Sequence, residues 1–420
     1  MRNGKKVYST KYYIRFITFL IFSLFTLVFR VKKKLPGKVK QLKSPYLLLS
    51  NHIGFFDPFV VGNILPHYTH FVASDAAFRN PVQRFFLTRL GTIPKKKNMR
   101  DTKVIKDIAA VIAQGENVGI FPEAVRNWAG STFYIDESIA KLIKLLKVPV
   151  VLSIMKGMNL MNPRWSGKLR YTRLEVEYQL LLTPGQIQNL TPSDIISIVR
   201  KELVHDEVEH QRIHMNRIYS QKKAEHIGHA LYLCPECNSI DTFTSKGNNF
   251  LCSECSYDIH IDGYGFFKRQ SPGKLYFDNI RDWYNWQEQW LIEHVRQQLR
   301  NKSDQAILRD QNSIVYRSSG DDELKKLGIA DIHLFEDRIE ISFKNCSELL
   351  SLNFNDLQTI NPQVGERLEI FYNNEAYRIE GGKAGVSALK WEVAVNAIWQ
   401  QLGQIHKLSP YIKQSGEYRP

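Results

Sequence analysis

The chain is poor in cysteine, with five in 420 residues. Four form two C-x-x-C pairs, Cys234/Cys237 and Cys252/Cys255, and Cys346 stands apart. That usage argues against a secreted disulfide framework and for a metal site in a reducing compartment. Acidic residues are in deficit: 42 Asp+Glu face 57 Lys+Arg, a net charge of +15. The imbalance favours an anionic partner, whether nucleic acid, anionic lipid or a phosphorylated small molecule. Long apolar runs are lacking too. The most lipid-like stretch is Tyr12 to Val31, and its apolar core, Phe16 to Phe29, is bracketed by Arg15 and Arg30. As a helix that core would be about 21 Å long at ~1.5 Å per residue, short of the ~30 Å hydrocarbon slab. Basic residues flank it on both sides (Lys5, Lys6 and Lys11; Lys32, Lys33 and Lys34), and no small-residue cleavage site follows, which argues against a signal peptide. The stretch reads as an interfacial or shallowly inserted helix with its cations among anionic head groups. A single span with snorkelling arginines is the alternative. The expected location is the cytoplasmic face of a membrane, monotopic or single-pass.

What is present centres on Asn51-His52-Ile53-Gly54-Phe55-Phe56-Asp57-Pro58. Tyr46 to Ser50 before it reads as a buried strand, and Phe59-Val60-Val61 after it opens an apolar helical run. Pro58 suits the first helical position and Asp57 the N-cap. His52 and Asp57 then share one strand-to-helix loop. A histidine oriented by a carboxylate is a general base, because the carboxylate holds one ring nitrogen and leaves the other to take a proton. On this octapeptide alone, an Asp57 that merely caps the helix beside an ordinary loop His52 is an equal reading.

From Tyr46 the pattern alternates strand and helix. A helix starts at Asp101-Thr102, with Val104, Ile108, Val111 and Ile112 on one face, and Gly115 ends it. Val118 to Phe121 is a strand, Asp136 to Lys147 a helix, and Val148 to Met155 a strand buried on both faces. Leu169 to Leu182 is another strand, and a long helix runs from Pro192 to about Tyr219. The fold class is α/β with a largely parallel central sheet, whose sites gather at the carboxyl ends of strands. His52 and Glu123 both fall there. His210 and His214 could share a helix face, but no third ligand accompanies them, so a solvated face is preferred to a metal site. The two C-x-x-C knuckles, separated by a short hairpin, fit a structural zinc ribbon with no open coordination position. Trp283, Trp286 and Trp290 at helical spacing read as core. From Ser313 to Gly381 the chain is β-rich, with turns at Glu336-Asp337 and Asn373-Asn374. An amphipathic helix, about Val386 to Leu402, closes it. The strand-then-helix pattern resembles a pleckstrin-homology or GRAM-like barrel.

The blocks around His52 and Glu123 also carry a family resemblance. Asn51-His52…Asp57 resembles the N-H-x4-D block of the glycerolipid acyltransferases, typified by 1-acylglycerol-3-phosphate acyltransferases. Leu90 to Lys97 looks like the second block, with Lys97 where arginine is usual. Phe121-Pro122-Glu123-Ala124-Val125-Arg126-Asn127 looks like the F-P-E-G-T-R-S block, with Ala124, Val125 and Asn127 departing from it. Val148-Pro149-Val150-Val151-Leu152 looks like the fourth, with Leu152 in place of a second proline. The resemblance covers about residues 40 to 220. It implies direct acyl transfer from acyl-CoA or acyl-carrier protein to a lysophospholipid hydroxyl, giving phosphatidic acid where the acceptor is 1-acylglycerol-3-phosphate. His52 and Asp57 would be catalytic, and Lys97, Glu123 and Arg126 would bind the acceptor and its phosphate. No Ser or Cys nucleophile and no catalytic cofactor is expected. The altered third block leaves acceptor identity open, along with acyl-chain length, donor carrier, the ligand of the C-terminal module and oligomeric state.

The rival reading is a non-catalytic zinc-ribbon adaptor, membrane- or nucleic-acid-associated, on an acyltransferase scaffold. His52, Asp57, Glu123 and Arg126 are intact, which favours the enzyme. Glu236, Asp241, Glu254, Asp258 and Asp262 in the ribbon weigh against nucleic acid. The expected division is a membrane-associated helix over 1–36, an acyltransferase domain over 37–225 and a zinc ribbon over 226–265. A helical connector over 266–312, a PH/GRAM-like domain over 313–405 and a tail over 406–420 follow. Membrane lipid and an acyl-donor carrier are the expected partners.

Overall fold

Residues 47–49, all leucine, occupy the middle of a sheet and point alternately to its two faces, so each face needs its own cover. In the computed structural model both faces are covered. The structure describes residues 7–78, 80–95, 102–123, 127–132, 134–301, 304–319, 324–345, 349–363, 367–383 and 386–408. Lys97, Arg126 and Cys346 lie outside the described residues. Two compact units are present, one holding Met1–Pro163 and Arg170–Ile218, the other Arg164–Leu169 and Tyr219–Pro420.

The first unit opens with α1 (Tyr12–Val28), β1 (Lys32–Lys34), α2 (Gly37–Lys40), β2 (Leu47–Ser50), α3 (Asp57–Ile64) and β3 (Thr69–Ser74). It continues through α4 (Pro81–Arg89), β4 (Ile93–Lys95), α5 (Thr102–Ala113), β5 (Asn117–Ile120), α6 (Ser138–Leu146) and β6 (Val150–Lys156). It closes with α7 (Met158–Met161), β7 (Glu175–Leu182), α8 (Pro184–Asn189), α9 (Pro192–Leu203) and α10 (Glu207–His214). The sheet order is β1-β7-β6-β2-β5-β3-β4. Every neighbouring pair is parallel except β6 with β7. The sheet is therefore mixed and mostly parallel. One face buries Leu47, Leu49, Val118, Val150 and Leu152 against α5, α6 and α9. The other buries Leu48, Val151, Met155 and Tyr178 against Val60 and Val61 of α3, with Phe25 of α1 and Phe29 at its C-cap packed alongside. Val104, Ile108, Val111 and Ile112 of α5 are all buried, as their spacing requires.

Several expectations need correction. The strand ending at Leu182 starts at Glu175, not Leu169. The long helix after Pro192 is two: Val204 turns extended, and Asp206 restarts the helix by accepting from the Val208 and Glu209 amides. Two of the three lysines after α1 are engaged by carboxylates. Lys32 and Lys34 sit in edge strand β1 and pair with Glu175, while Lys34 and Lys156 pair with Glu177. Arg15 pairs with Glu116 at 3.0 Å. Among the described residues no helix is long and apolar enough to cross a membrane. With 17 residues, α1 is about 26 Å long at ~1.5 Å per residue.

In the second unit, β8 (Phe243–Lys246), β9 (Asn249–Cys252), β10 (Asp258–Ile261) and β11 (Phe267–Arg269) form a four-stranded antiparallel sheet. On α11 (Ile280–Asn301), Trp283 is fully buried among the rings of Phe243, Phe250, Tyr257, Phe267 and Phe277. Trp286 and Trp290 are half-buried. A seven-stranded antiparallel sheet follows, built from β12 (Leu308–Ser319), β13 (Lys325–Leu334), β14 (Arg338–Phe343), β15 (Leu349–Asn353), β16 (Leu357–Pro362), β17 (Arg367–Tyr372) and β18 (Glu375–Glu380). Its order is β15-β14-β13-β12-β18-β17-β16, so the first strand pairs with both the second and the last. The closing helix, α12 (Leu389–Gln401), is not amphipathic as expected: Leu389 through Trp399 are all buried. Its buried Lys390 is neutralised by Asp241 and by Asp310, the latter at 2.6 Å.

Candidate active site

Strand β2 runs parallel to both its neighbours, β5 and β6, so the chain leaves all three at the same end of the sheet. Asn51 follows β2 directly and is buried. Its amide oxygen accepts from Met155 N at 2.8 Å, and its amide nitrogen donates to Met155 O at 2.9 Å. This two-pronged latch ties the end of β2 to the end of β6 and fixes where His52 begins.

The loop then turns on Asp57. Its side chain is fully buried, and one oxygen, Oδ2, accepts from three donors. These are Ile53 N at 2.5 Å, Gly54 N at 2.8 Å and His52 Nδ1 at 2.9 Å. Asp57 is the first residue of α3 rather than its cap. Phe56 occupies the cap, and no side chain caps the helix. The capping reading therefore fails on geometry, because the carboxylate faces back into the loop and onto the imidazole. A carboxylate can only accept, so His52 donates from Nδ1 and its Nε2 carries the free lone pair. The His52 side chain is 23% exposed, which leaves a path to that nitrogen.

Glu123 comes from the carboxyl end of β5 and is buried. Its Oε1 accepts from the His52 backbone N–H at 2.9 Å. Through that oxygen Glu123 holds the histidine's backbone in place. Asn127 is also buried, and its side chain accepts from Gly130 N at 2.7 Å, which closes the turn after that block. In the sheet order β4 lies three strands from β2, about 14 Å at ~4.8 Å per strand. Lys95 is exposed at its end. Gly91, which opens the second block's turn, has φ +62°, and a Cβ there would lie 2.2 Å from Tyr8 O. That glycine is required by backbone and by space.

His52, Asp57 and Glu123 are thus brought together as their sequence blocks suggest. The roles of Asn51 and of the Phe121 ring, which lies 4.5 Å from the His52 ring at 22°, are not legible in the motif. Gly119, a glycine inside a strand, signals a close approach there, and the ring that makes it is Phe71, which backs Phe121.

Residues 30–155 match the family model described as Acyltransferase. Over that segment, about a third of the chain, the sequence is similar to the acyltransferase family. The 1-acyl-sn-glycerol-3-phosphate acyltransferase of Bacillus subtilis (strain 168) is 25% identical over 127 residues, which is 30% of this chain and 60% of that protein. The chain thus spans less than two thirds of that relative. The crystal structure of the 1-acyl-sn-glycerophosphate (LPA) acyltransferase PlsC from Thermotoga maritima matches with a TM-score of 0.38 and 13% identity. It covers 45% of this chain and 78% of that one.

In the second unit, Cys234, Cys237, Cys252 and Cys255 converge, with their sulfurs all within 4.8 Å of one another. Two of the separations are 3.6 Å (Cys234 to Cys255) and 3.8 Å (Cys237 to Cys252). Ligands ~2.3 Å from a tetrahedral ion would stand about 3.8 Å apart, so the thiols fit one metal ion of that kind. Among the described residues no other group of His, Cys, Asp or Glu is so placed. His210 and His214 do share a face, with rings stacked at 4.1 Å, but His210 is half-buried and burial lowers its pKa.

Proposed function

We propose that this protein is an O-acyltransferase that moves a fatty acyl group from acyl-CoA or acyl-carrier protein to a lysophospholipid hydroxyl. The leading acceptor is 1-acylglycerol-3-phosphate, with phosphatidic acid as product. The observation that carries this reading is the 2.9 Å contact between His52 Nδ1 and Asp57 Oδ2 at the carboxyl end of the central strand. His52 Nε2 takes the proton from the acceptor hydroxyl as its oxygen attacks the thioester carbonyl. The C–S bond then breaks, and the imidazolium returns the proton to the leaving thiolate. Buried Asp57 stabilises the imidazolium in between, and Glu123 holds the His52 backbone. Because the thioester is already activated, the step needs no enzyme-bound acyl intermediate. Arg126 and Lys97 are assigned to the acceptor's phosphate, through charge-assisted hydrogen bonds.

The four cysteines are read as a structural zinc site, closed to substrate because all four positions are filled by thiolate. Residues 226–265 form the ribbon in this reading. The seven-stranded sheet and α12 within 313–405 form a PH/GRAM-like module, a reading supported by the first strand pairing with the last. Association with a membrane surface is supported by the outer face of α1, where Phe16, Leu20, Leu24 and Leu27 are 61%, 50%, 61% and 72% exposed. Val82, Phe85 and Phe86 on α4 are exposed as well. The deciding experiment is product analysis by mass spectrometry with purified protein, a panel of lysolipids and both donor types. A new diacyl phospholipid supports the reading. Donor hydrolysis alone, or no turnover of any pair, overturns it.

A further inference from the structure

For Nε2 of His52 to face one direction, its ring needs two constraints. The Asp57 hydrogen bond supplies one, fixing Nδ1 but leaving the ring able to swing about the Nδ1···Oδ2 line. The second constraint is a stack of rings. Phe121 covers one face of the imidazole, with centroids 4.5 Å apart and planes at 22°. Phe71 of β3 backs Phe121 at 5.7 Å and 16°. Phe71 in turn fills a seat that two glycines leave open. A Cβ on Gly119 of β5 would lie 2.4 Å from Phe71 Cε1 and 2.6 Å from Cδ1. A Cβ on Gly62 of α3 would lie 2.9 Å from Phe71 Cε2. Neither glycine has a left-handed backbone, so conformation does not demand glycine at either place. Space for Phe71 does.

We infer that Phe71 and Phe121, seated by Gly62 and Gly119, are positioning residues that fix the plane of the His52 ring. The inference rests on the acyl-transfer reading above for its consequence, though not for its geometry. Ordinary core packing would also use aromatic rings, but it would not tie a base's orientation to two bare Cα atoms on separate elements. The column runs from the seat on α3 and β5, through β3, to the reacting nitrogen. A single methyl at its far end should therefore be felt at the base.

The test uses the full-length protein. Gly119→Ala pushes Phe71 toward Phe121, and Phe121→Leu removes the ring against His52. Each should lower kcat by about 10²-fold, the cost of misplacing a reacting group by ~1 Å, while acceptor KM stays within about twofold. Phe121→Tyr, which keeps the ring plane, should restore kcat. A second readout needs no activity. In a spectrum of histidine ring carbons, assigned with His52→Gln, the His52 signal should sit upfield in the ring current of Phe121. It should move in Gly119→Ala and in Phe121→Leu. If Gly119→Ala does not fold, Phe71→Leu, which removes volume instead of adding it, is read the same way. Folded variants with kcat near wild type and an unmoved His52 signal overturn the inference. A wild-type protein without acyl transfer overturns the functional reading instead, and the ring signal alone then decides the column.

Discussion

At the scale of single residues, the site is a set of acceptors and donors whose partners can be counted. Asn51 makes two hydrogen bonds to Met155 from a buried position. Asn51→Ala leaves a buried amide and carbonyl unsatisfied, and should cost about 2–6 kcal/mol at ~1–3 kcal/mol per orphaned group, read by urea unfolding. Asp57 serves three donors with one oxygen. Asp57→Asn can accept from some of them but cannot stabilise the imidazolium. It should therefore lower kcat at a nearly unchanged acceptor KM, seen in steady-state kinetics on one lysophospholipid. An equal rise in KM would move Asp57 from chemistry to binding. The pairing of His52 with Asp57 was legible in the sequence because five residues on a strand-to-helix loop bring two side chains back to one place. The service of Glu123 to the His52 amide was not. It depends on β5 lying beside β2, and that is a fact of sheet order that no local motif states.

At the scale of elements, periodicity carried well where burial is one-sided and failed where charge decides. Helix α5 and strand β6 follow their apolar spacing. The lysines after α1 look like a membrane-facing run, yet two of them face carboxylates across a sheet edge. Glu177 reports that edge. Partial burial pushes its carboxyl up, but its neighbour Glu175 and the hydrogen bonds from Lys156 and Lys34 overcome this and hold it down at about 2. Its folded pKa lies below the ordinary ~4.3, so its contribution is full above that value and is lost as pH falls through the window down to about 2. Amide exchange at Lys32–Lys34, where β1 pairs with β7, should quicken across that window while β2 stays protected. Glu177→Gln should remove the pH dependence. In the second unit, α12 reads as amphipathic from its mixed residues, but its charged Lys390 is satisfied inside by Asp241 and Asp310. Lys390→Met would leave two carboxylates buried without a cation, a loss of about 3–5 kcal/mol of the kind seen when one partner of a buried ion pair is removed. Calorimetry showing no loss would mean that water already serves that site.

At the scale of the whole molecule, the chain carries a segment similar to acyltransferases, a thiol cluster, a β-rich module and a helix, α1, whose outer face exposes apolar side chains. Helix α1 cannot be deleted cleanly to test the proposed membrane contact of that face. Phe22 stacks on Phe59 at 4.3 Å, and Phe25 lies 5.6 Å from Phe56 in the His52 loop. Leu20→Glu with Leu24→Glu alters only the exposed face. The double variant should leave vesicles of anionic lipid that retain the native chain, with its thermal unfolding unchanged. Retention equal to the native chain's would remove α1 as the anchor. For the cysteines, Cys234→Ser should take zinc content toward zero and loosen the ribbon, with only a secondary effect on acyl transfer. Freshly purified protein containing no zinc would contradict the assignment. The central claim is that His52 is the base, and the most direct measurement is kcat and acceptor KM for His52→Ala on a lysophospholipid that the native protein acylates. The account predicts kcat lower by ~10²- to 10⁴-fold with acceptor KM nearly unchanged, since proton transfer is lost and the phosphate contacts remain. A His52→Ala protein with near-native kcat would contradict it.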